Sequence, residues 1–173
     1  MRAGETMRIG VTHHLYVITH TDAEEPDDDR TTGNGLVWLN EEGDQANIMT
    51  GTSWGDINVT VEIHDTEPEP ELIPWDEAVE FSMRFTRDGP MIGSLITEDL
   101  TDLPIPSGEG DDRPWRLRLH ARGRDTATTL GDRPVLPDGT LPEHHLIQLW
   151  PAPQTPENRL KLTDRTGARS RAT

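Results

Sequence analysis

The densest set of chemically capable side chains in this sequence is a run of carboxylates: Asp22, Glu24, Glu25, Asp27, Asp28 and Asp29 fall within eight positions. Oxygen ligands of this kind suit calcium or magnesium, but the run lacks the spaced ligand pattern and central glycine of an EF-hand loop. Read on charge alone, it is a solvated acidic face. A second acidic run, Glu67-Pro68-Glu69-Pro70-Glu71, alternates with proline. It predicts an extended polyproline-II strap whose like charges resist compaction.

Seven histidines, His13, His14, His20, His64, His120, His144 and His145, are scattered through the chain. Neighbouring residues on a strand point to opposite faces, so neither His13 with His14 nor His144 with His145 makes a facial metal pair. Ser53-Trp54-Gly55-Asp56 brings a hydroxyl near a carboxylate but has no histidine close in sequence, and it reads as a turn. Nucleophile elbows, phosphate-binding loops, zinc-protease helices and dinucleotide fingerprints are all missing. The chain has no cysteine, which removes thiolate metal sites, disulfides and a cysteine nucleophile together. Neither a cofactor nor a metal is expected. Paired carboxylates for sugar hydrolysis carry no weight among 32 acidic residues, because their separation is a three-dimensional property.

Two further sets are candidates for binding rather than catalysis. Five of the eight aromatic residues are tryptophans. Trp38 and Trp115 sit inside apolar patterns and read as core, whereas Trp54 and Trp75 lie near loops and are candidate surface contacts. Arg116, Arg118, Arg122 and Arg124 form the one concentrated positive stripe in the body; pairing with the surplus carboxylates competes there with binding an anionic partner. The partner-binding candidates are thus Trp54, Trp75, Asp27, Asp28, Asp29, Glu67, Glu69, Glu71, Arg116 and Arg118.

The elements that must position these residues are strands. Apolar and polar residues alternate through Ile57–His64 and Trp115–Arg122, the pattern of a half-buried strand. Val79, Phe81, Met83 and Phe85 alternate likewise, and Asp88-Gly89 suits a tight turn, which predicts a hairpin over residues 78–97. Further strands are expected at Arg8–Thr19, Gly35–Asn40, Ala46–Gly51, Leu100–Ile105 and His145–Trp150. Helix is limited to one short turn after Ile73-Pro74-Trp75-Asp76-Glu77, since proline and glycine recur too often for more. About eight strands with one apolar face each predict an all-β, antiparallel, two-sheet β-sandwich with jelly-roll-like wiring. Residues 1–153 would form this single domain, and residues 154–173 a flexible basic tail. Long loops are expected at Thr21–Gly33, Asp65–Ile73, Pro106–Arg113 and Gly123–Glu143.

The order of elements resembles the competence protein J family, small β-sandwich proteins that inhibit a DNA-entry nuclease. The resemblance runs over roughly residues 8–151. It rests on His14-Leu15-Tyr16-Val17, Gly35-Leu36-Val37-Trp38, the alternating Ile57–His64, Val79-Glu80-Phe81-Ser82-Met83 and the arginine-bearing Trp115-Arg116-Leu117-Arg118-Leu119. It implies a β-sandwich and an inhibitory role, and it carries over no functional residue. Gly123–Glu143 and the basic tail extend beyond the compact family pattern.

Charge bears on partners. Sixteen basic against 32 acidic residues give −16, a field that repels phosphate backbones and draws in basic proteins. The expectation is therefore a non-enzymatic interaction protein, an inhibitor or immunity protein masking a basic nuclease or toxin, without direct nucleic-acid binding through the acidic body. A small-ligand or carbohydrate-binding module using Trp54 or Trp75 is the first alternative, and a hydrolase with a carboxylate or metal site the second. No apolar run reaches the roughly 18 residues of a membrane span, and no apolar leader follows Met1. These features predict a cytoplasmic protein without membrane contact; an exposed edge strand would support homo-oligomers.

Overall fold

A computed structural model describes residues 4–20, 33–85, 89–105 and 113–172. Eleven strands and two short helices follow one another: β1 (Glu5–Thr12), β2 (Leu15–Thr19), β3 (Val37–Leu39), β4 (Ala46–Met49), β5 (Trp54–Ile63), β6 (Glu77–Arg84), β7 (Met91–Ser94), β8 (Asp99–Asp102), β9 (Pro114–Arg122), α1 (Arg124–Leu130), β10 (His144–Pro151), β11 (Asn158–Leu162) and α2 (Arg165–Arg171).

The strands belong to one curled, mixed sheet, not to two antiparallel sheets of about eight strands. Its order is β11-β6-β9-β10-β5-β1-β2-β4-β3, with β7 attached to β2 and β8 to β7. The β10–β5 pair is parallel, with Ile147 opposite Val61, and this departs from jelly-roll wiring. The sandwich expectation assumed that a second sheet must cover each apolar face. Here the sheet covers itself by turning over where β1 meets β2. That corner is the two-residue turn His13-His14, with φ of 53° and 62°, the left-handed backbone at both central positions that a type I′ turn requires. One core cluster results, with Ile57, Leu119 and Ile147 from one limb and Tyr16, Ile48 and Ile92 from the other. Full burial of a Leu or Ile side chain contributes roughly 1.5–3 kcal/mol.

The expected hairpin over 78–97 does not form. β6 pairs with β9 and β11, whereas β7 pairs with β2 and β8, so the chain crosses between limbs instead of folding back. Burial explains it: Val79 faces Leu119 and Phe81 faces Leu117 across β6–β9, an apolar match that the shorter β7 does not offer.

Helix is also placed differently. Ile73-Pro74 makes a single turn closed by the Trp75 amide donating to the Leu72 carbonyl at 3.2 Å. α1 lies in the expected loop 123–143 and α2 in the expected flexible tail. The tail is ordered: β11 extends the sheet along β6, and Asp164 caps α2 by accepting from the Gly167 amide at 2.6 Å. Few apolar residues take part. Arg124, fully buried, places its Nε 3.1 Å from Asp164 and donates to the Gly35 carbonyl, while Arg171 donates to Glu77 at 3.0 Å. Ladder bonds and buried ion pairs replace the apolar signal by which a sequence advertises order. Among the described residues no helix is long and apolar enough to cross a membrane.

Candidate functional site

Strand alternation sends Leu117 and Leu119 into the core and Arg116, Arg118, His120 and Arg122 to the outer face of β9. Register aligns Glu80 of β6, Arg118 of β9, Gln148 of β10 and Glu62 of β5 in one row across four strands. The row is a continuous hydrogen-bond chain. Arg118 Nε donates to Glu80 at 2.8 Å and its Nη1 to Gln148 at 3.2 Å; Gln148 in turn donates to Glu62 at 2.9 Å. The guanidinium also lies 5.1 Å from the centre of the Trp150 ring.

The remaining bonds of Arg118 fasten the proline-rich strap. Nη1 donates to the Pro68 carbonyl at 2.8 Å, and Nη2 reaches Glu67 at 3.2 Å. Arg116 does the same for the segment after β10, donating to the carbonyls of Thr155 at 2.8 Å and Pro156 at 3.0 Å. Both arginines are buried and paired with Glu80, so neither offers a free charge to an anionic partner. What they present outward is the strap: Glu67, Glu69 and Glu71 are exposed, and Ile73 at its end is 94% exposed. Lys161 holds the base of that turn by donating to the Leu72 carbonyl at 3.1 Å.

Trp75 is not on the surface. It is 7% exposed and lies against His120, with ring centres 5.3 Å apart, beneath the Arg122 guanidinium at 5.1 Å. His120 Nδ1 donates to the Leu146 carbonyl at 3.3 Å, since a carbonyl only accepts. Its Nε2 has no partner among the described residues. Burial, reinforced by Arg118, pushes this imidazole down to about 4, so it is neutral at physiological pH.

Trp54, by contrast, is 42% exposed, with the His13 ring set edge-on at 6.5 Å. It borders a groove of about 460 Å³ also lined by Arg8, Gly10, Asp56, Asp99 and Arg133. Ser53 bonds Asp132 at 2.5 Å, so the hydroxyl and carboxylate of Ser53 and Asp56 are not paired with each other.

A set with the look of a catalytic relay lies inside the core. His145 Nε2 bonds Glu143 at 2.9 Å, and Nδ1 bonds the Tyr16 hydroxyl at 2.9 Å. Burial opposes the charge of Glu143, but bonds from His145 and Thr52 outweigh it and hold the carboxyl below its ordinary value. All three side chains are closed to solvent, so no substrate reaches them. Their work is structural: Glu143 accepts from the Gly51 and Thr52 amides at 3.1 and 2.8 Å and ties that turn to β10. The signal for His145 was its position in the Ile147, Leu149 periodicity, which directs it inward.

The candidate residues therefore do not make one site. Glu67, Glu69, Glu71, Arg116 and Arg118 come together beneath and along the strap, Trp54 lies on the separate groove, and Trp75 is internal. Asp27, Asp28 and Asp29 lie outside the described residues. No three metal-ligating side chains converge among the described residues.

An acidic strap buckled by arginines onto a curled, mixed β-sheet defines the class to which this chain can be compared. No family model and no curated protein matches the sequence. Among solved structures the fold is that of ComJ from Bacillus subtilis, an inhibitor of the DNA-degrading activity of NucA. The likeness has a TM-score of 0.60 and 11% identity, and covers 88% of this chain and 99% of that one. The protein of crocagin biosynthetic gene J is also similar, with a TM-score of 0.53 and 12% identity over 86% of this chain and 98% of that one. These likenesses are of fold.

Proposed function

We propose that this chain is a non-catalytic inhibitor that docks its strap onto a basic, DNA-degrading partner. The observation that carries the reading is the strap itself: Glu67, Glu69 and Glu71 stand exposed on backbone that Arg118 pins at Pro68. A charged segment fixed before encounter loses less entropy on binding, and the −16 body steers a cationic partner toward it. Ile73 supplies an apolar anchor inside the acidic rim, the arrangement in which interface energy concentrates. The fold shared with a nuclease inhibitor supports the same reading.

The test begins with affinity capture from the native host at about 50 and about 300 mM salt, which brackets weak and strong screening. The captured protein is then assayed for DNA degradation with and without this chain. A basic nuclease, inhibited stoichiometrically and released by salt, is the expected result. Replacing Glu67, Glu69 and Glu71 together by glutamine should slow association by about tenfold or more at the lower salt. Inhibition unchanged by that triple substitution would assign the contact to another surface.

A further inference from the structure

The groove beside Trp54 has a construction that the strap reading does not use. On β1 and β5, register sets Arg8 opposite Asn58, Gly10 opposite Asp56 and Thr12 opposite Trp54, all on the face that points away from the core. Gly10 leaves the middle of that floor bare. A Cβ there would meet only Asp56 Oδ1, at 4.0 Å, so backbone is open to close approach by a ligand. Arg133 and Pro134 line the groove from the α1–β10 connection, Thr97 from the β7–β8 turn and Asp99 from the start of β8. Its volume of about 460 Å³ lies in the usual range of small-molecule sites, roughly 300–1,000 Å³.

The two arginines and two aspartates of the groove stand near one another without pairing directly. Among the described residues neither the Arg8 nor the Arg133 guanidinium makes an ion pair or side-chain hydrogen bond, and the carboxylates of Asp56 and Asp99 make none either. In a chain with twice as many acidic as basic residues, two free guanidiniums in one concavity call for an anion. The indole beside them calls for a ring. A neutral sugar would use the indole and the carboxylates of Asp56 and Asp99 and leave both guanidiniums without a ligand. A long polynucleotide would meet the repulsion of the whole body.

We propose that this groove binds a compound of the mononucleotide class. The base rests against Trp54, the phosphate lies between Arg8 and Arg133, and sugar or base donors reach Asp56 and Asp99. Aromatic stacking tolerates any base, and a guanidinium matches phosphate in two-point geometry. The site is independent of the inhibitor reading.

The test titrates the full chain with adenosine 5′-monophosphate, with adenosine and with inorganic phosphate, followed by calorimetry and tryptophan fluorescence. Saturable binding of the monophosphate is expected, with adenosine and phosphate each weaker by about tenfold or more. Gly10→Val sets its Cβ where only Asp56 Oδ1 lies within 4 Å and suits a strand. It and Arg133→Gln should each weaken binding by about tenfold or more while leaving the urea midpoint in place. Trp54→Phe should abolish the fluorescence change. Three results would each overturn the proposal: no saturation by the monophosphate, equal affinity in Gly10→Val, or phosphate alone binding as well as the nucleotide.

Discussion

Two pairs of arginines in this molecule have opposite fates. Arg116 and Arg118 sit two residues apart on β9, buried and bonded to carboxylates, carbonyls and an amide. Arg8 and Arg133 come from distant parts of the chain and meet at the rim of a groove with no partner among the described residues. The stripe that looked like a binding patch is a fastening, and the arginines free to bind are the ones with no stripe.

The contrast should break most visibly at Arg118. Arg118→Met takes from buried Glu80 the nearer of its two cations and leaves Arg116 at 3.5 Å, a loss of up to roughly 3–5 kcal/mol in urea unfolding monitored by circular dichroism. Pairing it with Glu80→Gln should restore part of that loss. His120, beside Arg118 and under Trp75, gives the next effect. Its imidazole titrates at about 4 in the fold and at about 6.5 when unfolded. Between these values the unfolded chain binds a proton that the folded chain does not, so stability falls as pH drops from about 6.5 to about 4. The full change amounts to about 3 kcal/mol. A series of urea titrations across that window should show the slope, and His120→Phe should flatten it.

Smaller effects sharpen the comparison. Glu67 is 64% exposed although it touches Arg118, so Glu67→Gln should cost under about 1 kcal/mol. At the groove, Arg133→Gln should shift stability by no more than about 0.5 kcal/mol. A large loss on Arg133→Gln would mean that this arginine is a fastening after all.

Sequence periodicity made most strands legible because each has one buried face. The curl was hidden, since it depends on a turn of two histidines in left-handed backbone and on a parallel pairing between segments far apart. β11 and α2 were hidden because Arg124, Asp164, Glu77 and Arg171 hold them by charge. Of the surface residues, Trp54 was readable from its turn context. Trp75 was misread, because Trp75 also neighbours a turn, yet it folds down onto His120. Arg8 and Arg133 carried no local signal, as only the register of β1 with β5 and the path of the α1–β10 connection bring them together.

The parallel pairing of β5 with β10 has a kinetic meaning. β5 ends at Ile63, while the partner that completes its hydrogen bonding begins at His144. During synthesis the middle of the sheet must therefore wait with one edge open while some eighty residues emerge, several seconds at roughly 5–20 residues per second. Such distant contacts make for slow folding, and the open edge is a template for mispairing in the interval. Asn58, Thr60 and Glu62 keep the outer face of the waiting strand polar.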